Sequence, residues 1–187
     1  MINTNIGYVL SPPDNGNYMF YKLEIDECTR YSNIYDINKI NPEFRISRKK
    51  LNITETYDGY KIVSEKFKLF CESENYSNIE FIKLPSTGFY WFKVYNILEY
   101  DTVARQTRFI NYNKLCNGHE EIIGASPAFL KCNEALSDNF FRTDICFGSY
   151  HRKSPLYIVG EKTQQKLLEA GFKEIHFDKI IARGIYL

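Results

Sequence analysis

Apolar and polar positions alternate along the chain in short blocks, and the blocks predict strands with two short amphipathic helices among them. Residues 6–10 and 18–25 are apolar-rich and flank Ser11-Pro12-Pro13-Asp14-Asn15-Gly16-Asn17. Proline presets a turn φ and Asn-Gly tolerates positive φ, so this stretch predicts a hairpin-like loop between two strands. From Glu27 to Lys50 the chain is polar and weakly periodic, either irregular or carrying a short helix around Ile34 to Ile40. Strands are predicted at 51–56 and 60–63, joined across Asp58-Gly59. The segment KIVSEKFKLFCESENYSNIEFIKL, 61–84, reads as strand, helix, strand. Ile62-Val63 form a buried strand, and Ser64 caps the helix by accepting a backbone N–H bond. Phe67, Phe70 and Cys71 share one helical face. Asn75 ends the helix, and Ile79, Phe81 and Leu84 suit the second strand. After a break at Pro85 to Gly88, FYWFKVYNIL at 89–98 is strongly β-prone.

A similar unit recurs near the C-terminus as YIVGEKTQQKLLEAGFKEIHFDKI, 157–180, aligned without a gap at an offset of 96. Seven pairs are identical: Ile62/Ile158, Val63/Val159, Glu65/Glu161, Lys66/Lys162, Ile79/Ile175, Phe81/Phe177 and Lys83/Lys179. Roughly one or two are expected from average composition. Two readings stand. Any strand–helix–strand unit capped by a small residue looks this way, or the chain carries a pseudo-repeat forming two equivalent layers of one sheet. In the second copy Thr163, Leu167 and Ala170 make the helix face, and Gly171 suits a left-handed closing residue. Between the copies, Phe129-Leu130 and Ile145-Cys146-Phe147 are strand candidates. Polar breaks at Asn117-Gly118, Asn133 to Asn139 and Gly148 to Pro155 predict loops. With no linker or low-complexity tract, the expectation is one α+β (mixed α/β) domain over 1–187, with a mixed sheet and two units at 61–84 and 157–180. Each helix should bury its apolar face on the sheet. Its two strands either pair in parallel, directly or across one intervening strand, as a crossover, or run antiparallel or in different sheets, which would make the similarity only local.

Composition narrows the function classes. The chain has 187 residues, 44% hydrophobic and 25% charged, with 15 Tyr and 14 Phe. That is globular rather than disordered composition, long enough to stand on its own core. The net charge is +1, so no global basic excess points to nucleic acid. The local cluster Arg45, Arg48, Lys49 and Lys50 reads as a solvated loop. No membrane span and no secretory signal are visible, and five cysteines are an odd number. These features favour a cytoplasmic protein with free thiols at Cys28, Cys71, Cys116, Cys132 and Cys146.

Motifs for catalysis are scarce. The phosphate-loop, dinucleotide, nucleophile-elbow and paired-histidine zinc patterns do not occur. His119, His151 and His176 leave little for acid–base work, and His176 reads as a solvent-facing strand residue. The expectation is no enzyme, with no catalytic or cofactor-binding residues assigned. Scattered carboxylates and tyrosines assembling a site remain an open alternative. Cys116-Asn117-Gly118-His119 with Cys132 downstream has partial zinc-ligand spacing, because a tight turn aims two ligands at one centre. Ala135 stands where a partner for Cys132 would be, and Cys146 lies in an apolar run. A structural zinc at Cys116, His119 and Cys132, within an adaptor or regulatory domain, is the alternative to a metal-free binding protein.

Ile62-Val63-Ser64-Glu65-Lys66-Phe67 with Ile79-Glu80-Phe81, and Ile158-Val159-Gly160-Glu161-Lys162 with Ile175-His176-Phe177, resemble the repeated strand–helix–strand signature of bacterial immunity proteins of polymorphic toxin systems. The chain is also similar to their double-CxxCG branch, and Phe89 to Asp101 resembles an aromatic strand of related members. It departs from that branch where His119 and Ala135 replace second cysteines, which puts the metal in doubt. The resemblance covers roughly 57–180. It implies a cytoplasmic protein that binds and blocks a cognate toxin, with no nucleic-acid or membrane partner. Loops at Asp101 to Arg108 and Asn133 to Asp144 are the candidate binding surfaces, since exposed aromatics and Arg dominate hot spots.

Overall fold

A computed structural model describes residues 4–20 and 27–182. In chain order the elements are β1 (Asn5–Ser11), α1 (Ile34–Ile37), β2 (Ile53–Glu55), β3 (Lys61–Ser64), α2 (Glu65–Ser73), β4 (Ile79–Lys83), β5 (Phe89–Val94), β6 (Ile97–Leu98), α3 (Thr102–Arg105), β7 (Arg108–Asn113), β8 (Gly118–Ile123), β9 (Phe140–Ser149), β10 (Ser154–Val159), α4 (Glu161–Glu169) and β11 (His176–Ile181). Short 3-10 turns lie at Thr29–Tyr31 and Tyr150–Arg152. The fold is α+β. A seven-stranded sheet runs β11-β1-β10-β9-β8-β7, with β6 pairing in parallel with β9, and a four-stranded sheet runs β2-β3-β5-β4.

The two predicted units form, with the predicted caps. Ser64 Oγ accepts from Phe67 N–H at the start of α2, and Gly160 occupies the same position before α4. In each unit the two strands are parallel across one intervening antiparallel strand. β5 lies between β3 and β4, and β1 lies between β10 and β11. The expected equivalence therefore holds at the level of topology, but the units organise two separate sheets rather than layers of one. Apart from β6–β9, the pairings are antiparallel, because each crossover skips a strand that runs the other way.

One core joins the sheets. Phe67 and Cys71 of α2, Leu167 of α4, Phe92, Phe140, Tyr157 and Phe172 are buried in a single cluster, with Phe70 and Ala170 packed against it. Phe67 touches Phe172, Phe92 and Phe140 at ring-centroid distances of 5.1, 5.4 and 6.0 Å. Each buried aromatic stabilises the fold by about 1.5–3 kcal/mol in transfer alone. A polar bridge crosses the same core. The Tyr157 hydroxyl donates to the Phe92 carbonyl at 2.7 Å, and the Tyr35 hydroxyl lies 2.7 Å from it while accepting from Val94 N–H at 3.0 Å.

Four local expectations differ from the structure. Phe129-Leu130 is not a strand, and Leu130 makes only an isolated bridge to Tyr100. Residues 18–20 are not a strand, because the Asp58 carboxylate accepts from Met19 and Phe20 N–H and holds them in an irregular turn; residues 21–25 of that expectation lie outside the described residues. Among the described residues β1 pairs with β10 and β11 rather than with 18–20. Gly148 to Pro155 is a 3-10 corner flanked by paired strands rather than a loop throughout. Neither β7 nor β8 was expected.

Candidate functional site

β7 and β8 form a hairpin at one end of the large sheet, and among the described residues β7 pairs with β8 alone. Its sequence, RFINYN, is β-prone, and Asn113 Oδ1 shapes the turn by accepting from Leu115 N–H at 2.9 Å. β7 is exposed on both faces: Phe109 and Tyr112 retain 41% and 55% of their surface, and Leu115 at the tip retains 89%. Asn111 has a left-handed φ of 52°, a conformation asparagine tolerates better than most residues. That local twist lets Phe109 and Tyr112 both reach the His119 ring, at 5.1 and 5.0 Å, although two-residue alternation would separate them.

The ribbon is moored to the segment 28–31 in several independent ways. A disulfide joins Cys28 to Cys116 in the turn. Gly118 lies against Tyr31, whose carbonyl oxygen would sit 2.9 Å from any added Cβ, so a side chain is excluded there. Arg30 pairs with Glu120, whose other oxygen accepts from Asn111 Nδ2 at 2.8 Å. The Asn111 hydrogen bond, then Arg30, holds the Glu120 carboxyl below its ordinary range. Beneath them Lys153 is buried, and its ammonium donates to the carbonyls of Tyr150, Arg30 and Glu120 at 2.6, 3.3 and 3.3 Å. Burial pulls its pKa down to about 8, so it stays largely protonated at neutral pH. Three carbonyls around one cation make this a clamp on the ribbon rather than a nucleophile.

An edge of this kind offers backbone donors and acceptors to an incoming chain, with aromatic rings beside them. Between Thr102 and His119 the sequence carries Arg105, Arg108 and Lys114 and no Asp or Glu. Arg105 is turned onto the Ser126 carbonyl, while Arg108 and Lys114 are exposed.

The three residues of the zinc alternative, Cys116, His119 and Cys132, are not brought together among the described residues. Cys116 is bonded to Cys28, His119 lies beside the tilted rings of Phe109 and Tyr112, and no group of three or more potential ligands forms among the described residues. The expectation of five free thiols is corrected: Cys71, Cys132 and Cys146 are free, Cys28 and Cys116 are not. Of the two loops singled out as binding surfaces, 101–108 leads into β7 and exposes Val103 at 86% on α3. The other, 133–144, is turned inward. Leu136 N–H donates to the Ile6 carbonyl, and Asp138 takes Lys166 at 2.7 Å and Thr163 Oγ1 at 3.0 Å, strapping α4 to the sheet. His176 is exposed at the start of β11, and Arg45, Arg48, Lys49 and Lys50 are exposed in a loop, as read.

Two clefts of about 210 and 230 Å³ meet between the sheets at Glu55 and Ser154. The smaller is lined by the Lys61–Glu55 pair, and the larger by Glu55 with Asp14 and Arg152, so both present mixed signs. Among the described residues no helix is long and apolar enough to cross a membrane. No protein-family model, curated protein or solved structure significantly matches the chain.

Proposed function

We propose that the chain is a binding protein that neutralises a cognate bacterial toxin by one-to-one association. The observation that supports this most is the β7–β8 ribbon, an exposed aromatic and cationic sheet edge held in place by an ion pair and a buried lysine, neither of which depends on the redox state of the compartment. A prefixed edge loses little conformational entropy on binding, which favours a tight complex. The resemblance of the two strand–helix–strand units to those of immunity proteins supports the same reading, since both units fold as that signature implies.

Co-expression tests it. The chain is produced with the C-terminal domain of any large secreted protein found encoded beside it. Restored growth together with a one-to-one complex on size-exclusion chromatography is expected. A neighbouring gene with no toxin-like C-terminal domain, or undiminished killing with the chain well expressed, would overturn the reading. The proposal places the encounter in the cytoplasm, where disulfides are normally reduced. Maleimide labelling of the chain in intact cells reads that placement directly: five reactive thiols after denaturation are expected there, and three would place the chain in an oxidising compartment.

A further inference from the structure

Among the described residues five strands have an open side, and they differ in length and charge. β6 is only two residues long and uncharged. β2 is three residues long and its flank is occupied by a bridge between Asp14 and Glu55. β4 carries Glu80 and Lys83, and β11 carries Asp178 and Lys179, so both present mixed signs. β7 and its turn carry Arg108 and Lys114, exposed and with no carboxylate partner among the described residues.

Resting on the toxin-binding reading, we propose that the partner contributes an extended segment rich in Asp or Glu that adds a strand to β7. Its carboxylates face Arg108 and Lys114, and its apolar side chains lie on Phe109 and Tyr112. Sheet edges recruit extended chains through main-chain hydrogen bonds, and the side chains beside the edge set the choice of partner. Charge decides against the other obvious occupant, a second copy of this chain. Two β7 strands paired antiparallel about Ile110 and Asn111 would bring Arg108 of one copy beside Asn113 and Lys114 of the other. Like charges across a strand pair are destabilising.

The probe is a blocked octapeptide alternating glutamate with valine and threonine, against the same peptide with lysine for glutamate, both titrated into the ¹⁵N-labelled chain. The expected result is slowed amide exchange within 108–113 with the glutamate peptide only, weakening by about tenfold between low and physiological salt. The exposed double substitution Arg108→Glu with Lys114→Glu should transfer the preference to the lysine peptide. Equal binding of both peptides, protection at β4 or β11 instead, or protection of β7 by self-association would overturn the proposal. The two readings separate in the co-expression assay. Wild-type protection that survives the double substitution sinks the β7 proposal alone, whereas absent wild-type protection sinks the toxin reading and leaves the peptide result standing.

Discussion

The two strand–helix–strand units share a topology and differ in how each helix is begun and covered. α2 is capped by its own Ser64 hydroxyl and presents Phe67 and Phe70 to a ring-filled core. α4 begins at Gly160, which has an ordinary φ of −71° and makes no side-chain cap. Glycine is needed there for a different reason: the 133–139 strap crosses so closely that its Ser137 and Leu136 carbonyl oxygens would collide with a Cβ, the latter at 2.6 Å. The same strap supplies Asp138 to Thr163 and Lys166, so the second helix face tolerates a buried hydroxyl where the first uses aromatics. One scaffold thus accepts two solutions, one local in sequence and one supplied by a distant loop.

The sharpest test of that contrast is truncation of the two helix faces. Phe67→Ala should cost about 3–5 kcal/mol and Leu167→Ala about 2–4 kcal/mol, read from urea midpoints at constant m. Equal losses would mean that the aromatic cluster adds nothing beyond its area. The bridge between the units should respond to pH. Burial first of all pushes the Tyr35 hydroxyl up to about 12, and burial with Tyr35 beside it pushes Tyr157 well above its usual range. Groups raised on folding contribute stability that is complete below their unfolded value, about pH 10, and lost as pH climbs through the folded one. Thermal melts should therefore fall steeply above pH 10, with Tyr35 alone accounting for about 2 kcal/mol by pH 12. Tyr157→Phe should flatten that slope. Exchanging the caps comes next. Gly160→Ser should cost about 1–3 kcal/mol by overpacking the strap, although serine is the better cap in isolation. The smallest effect is Ser64→Ala, about 1 kcal/mol, and Ser64→Gly should cost only a few tenths. A stabilising Gly160→Ser would show that the strap yields and that the contrast is only one of sequence.

Both units were legible in the sequence because each signal was local: a small residue before a periodic run, then an alternating strand. The hairpin β2–β3 was legible for the same reason, through Asp58-Gly59. The β7–β8 ribbon was not. A strand exposed on both faces has no hydrophobic alternation to detect, and Glu120-Glu121 interrupts the apolar pattern of β8. The Cys28–Cys116 bond joins residues 88 apart, a pairing that spacing cannot reveal. The 133–139 strap read as a free loop because its partners, Ile6, Thr163 and Lys166, lie far away in sequence. Of the candidate site, the flank at 101–108 was marked as a binding surface, and Cys116 and His119 were marked for a metal rather than for the ribbon they build.

The Cys28–Cys116 bond also partitions the chain as a mechanical object. It closes a covalent ring that contains the entire four-stranded sheet and the first unit, while β1 and the whole second unit lie outside it. Tension applied at the two ends is carried across the sulfur bridge, so the ring is shielded from load. At about 3.5 Å per residue, the 88-residue separation withholds roughly 300 Å of contour from a stretched molecule. Optical-tweezer extension before and after reduction should differ by that length, with the second unit yielding first and the first unit bearing force only once the ring is opened.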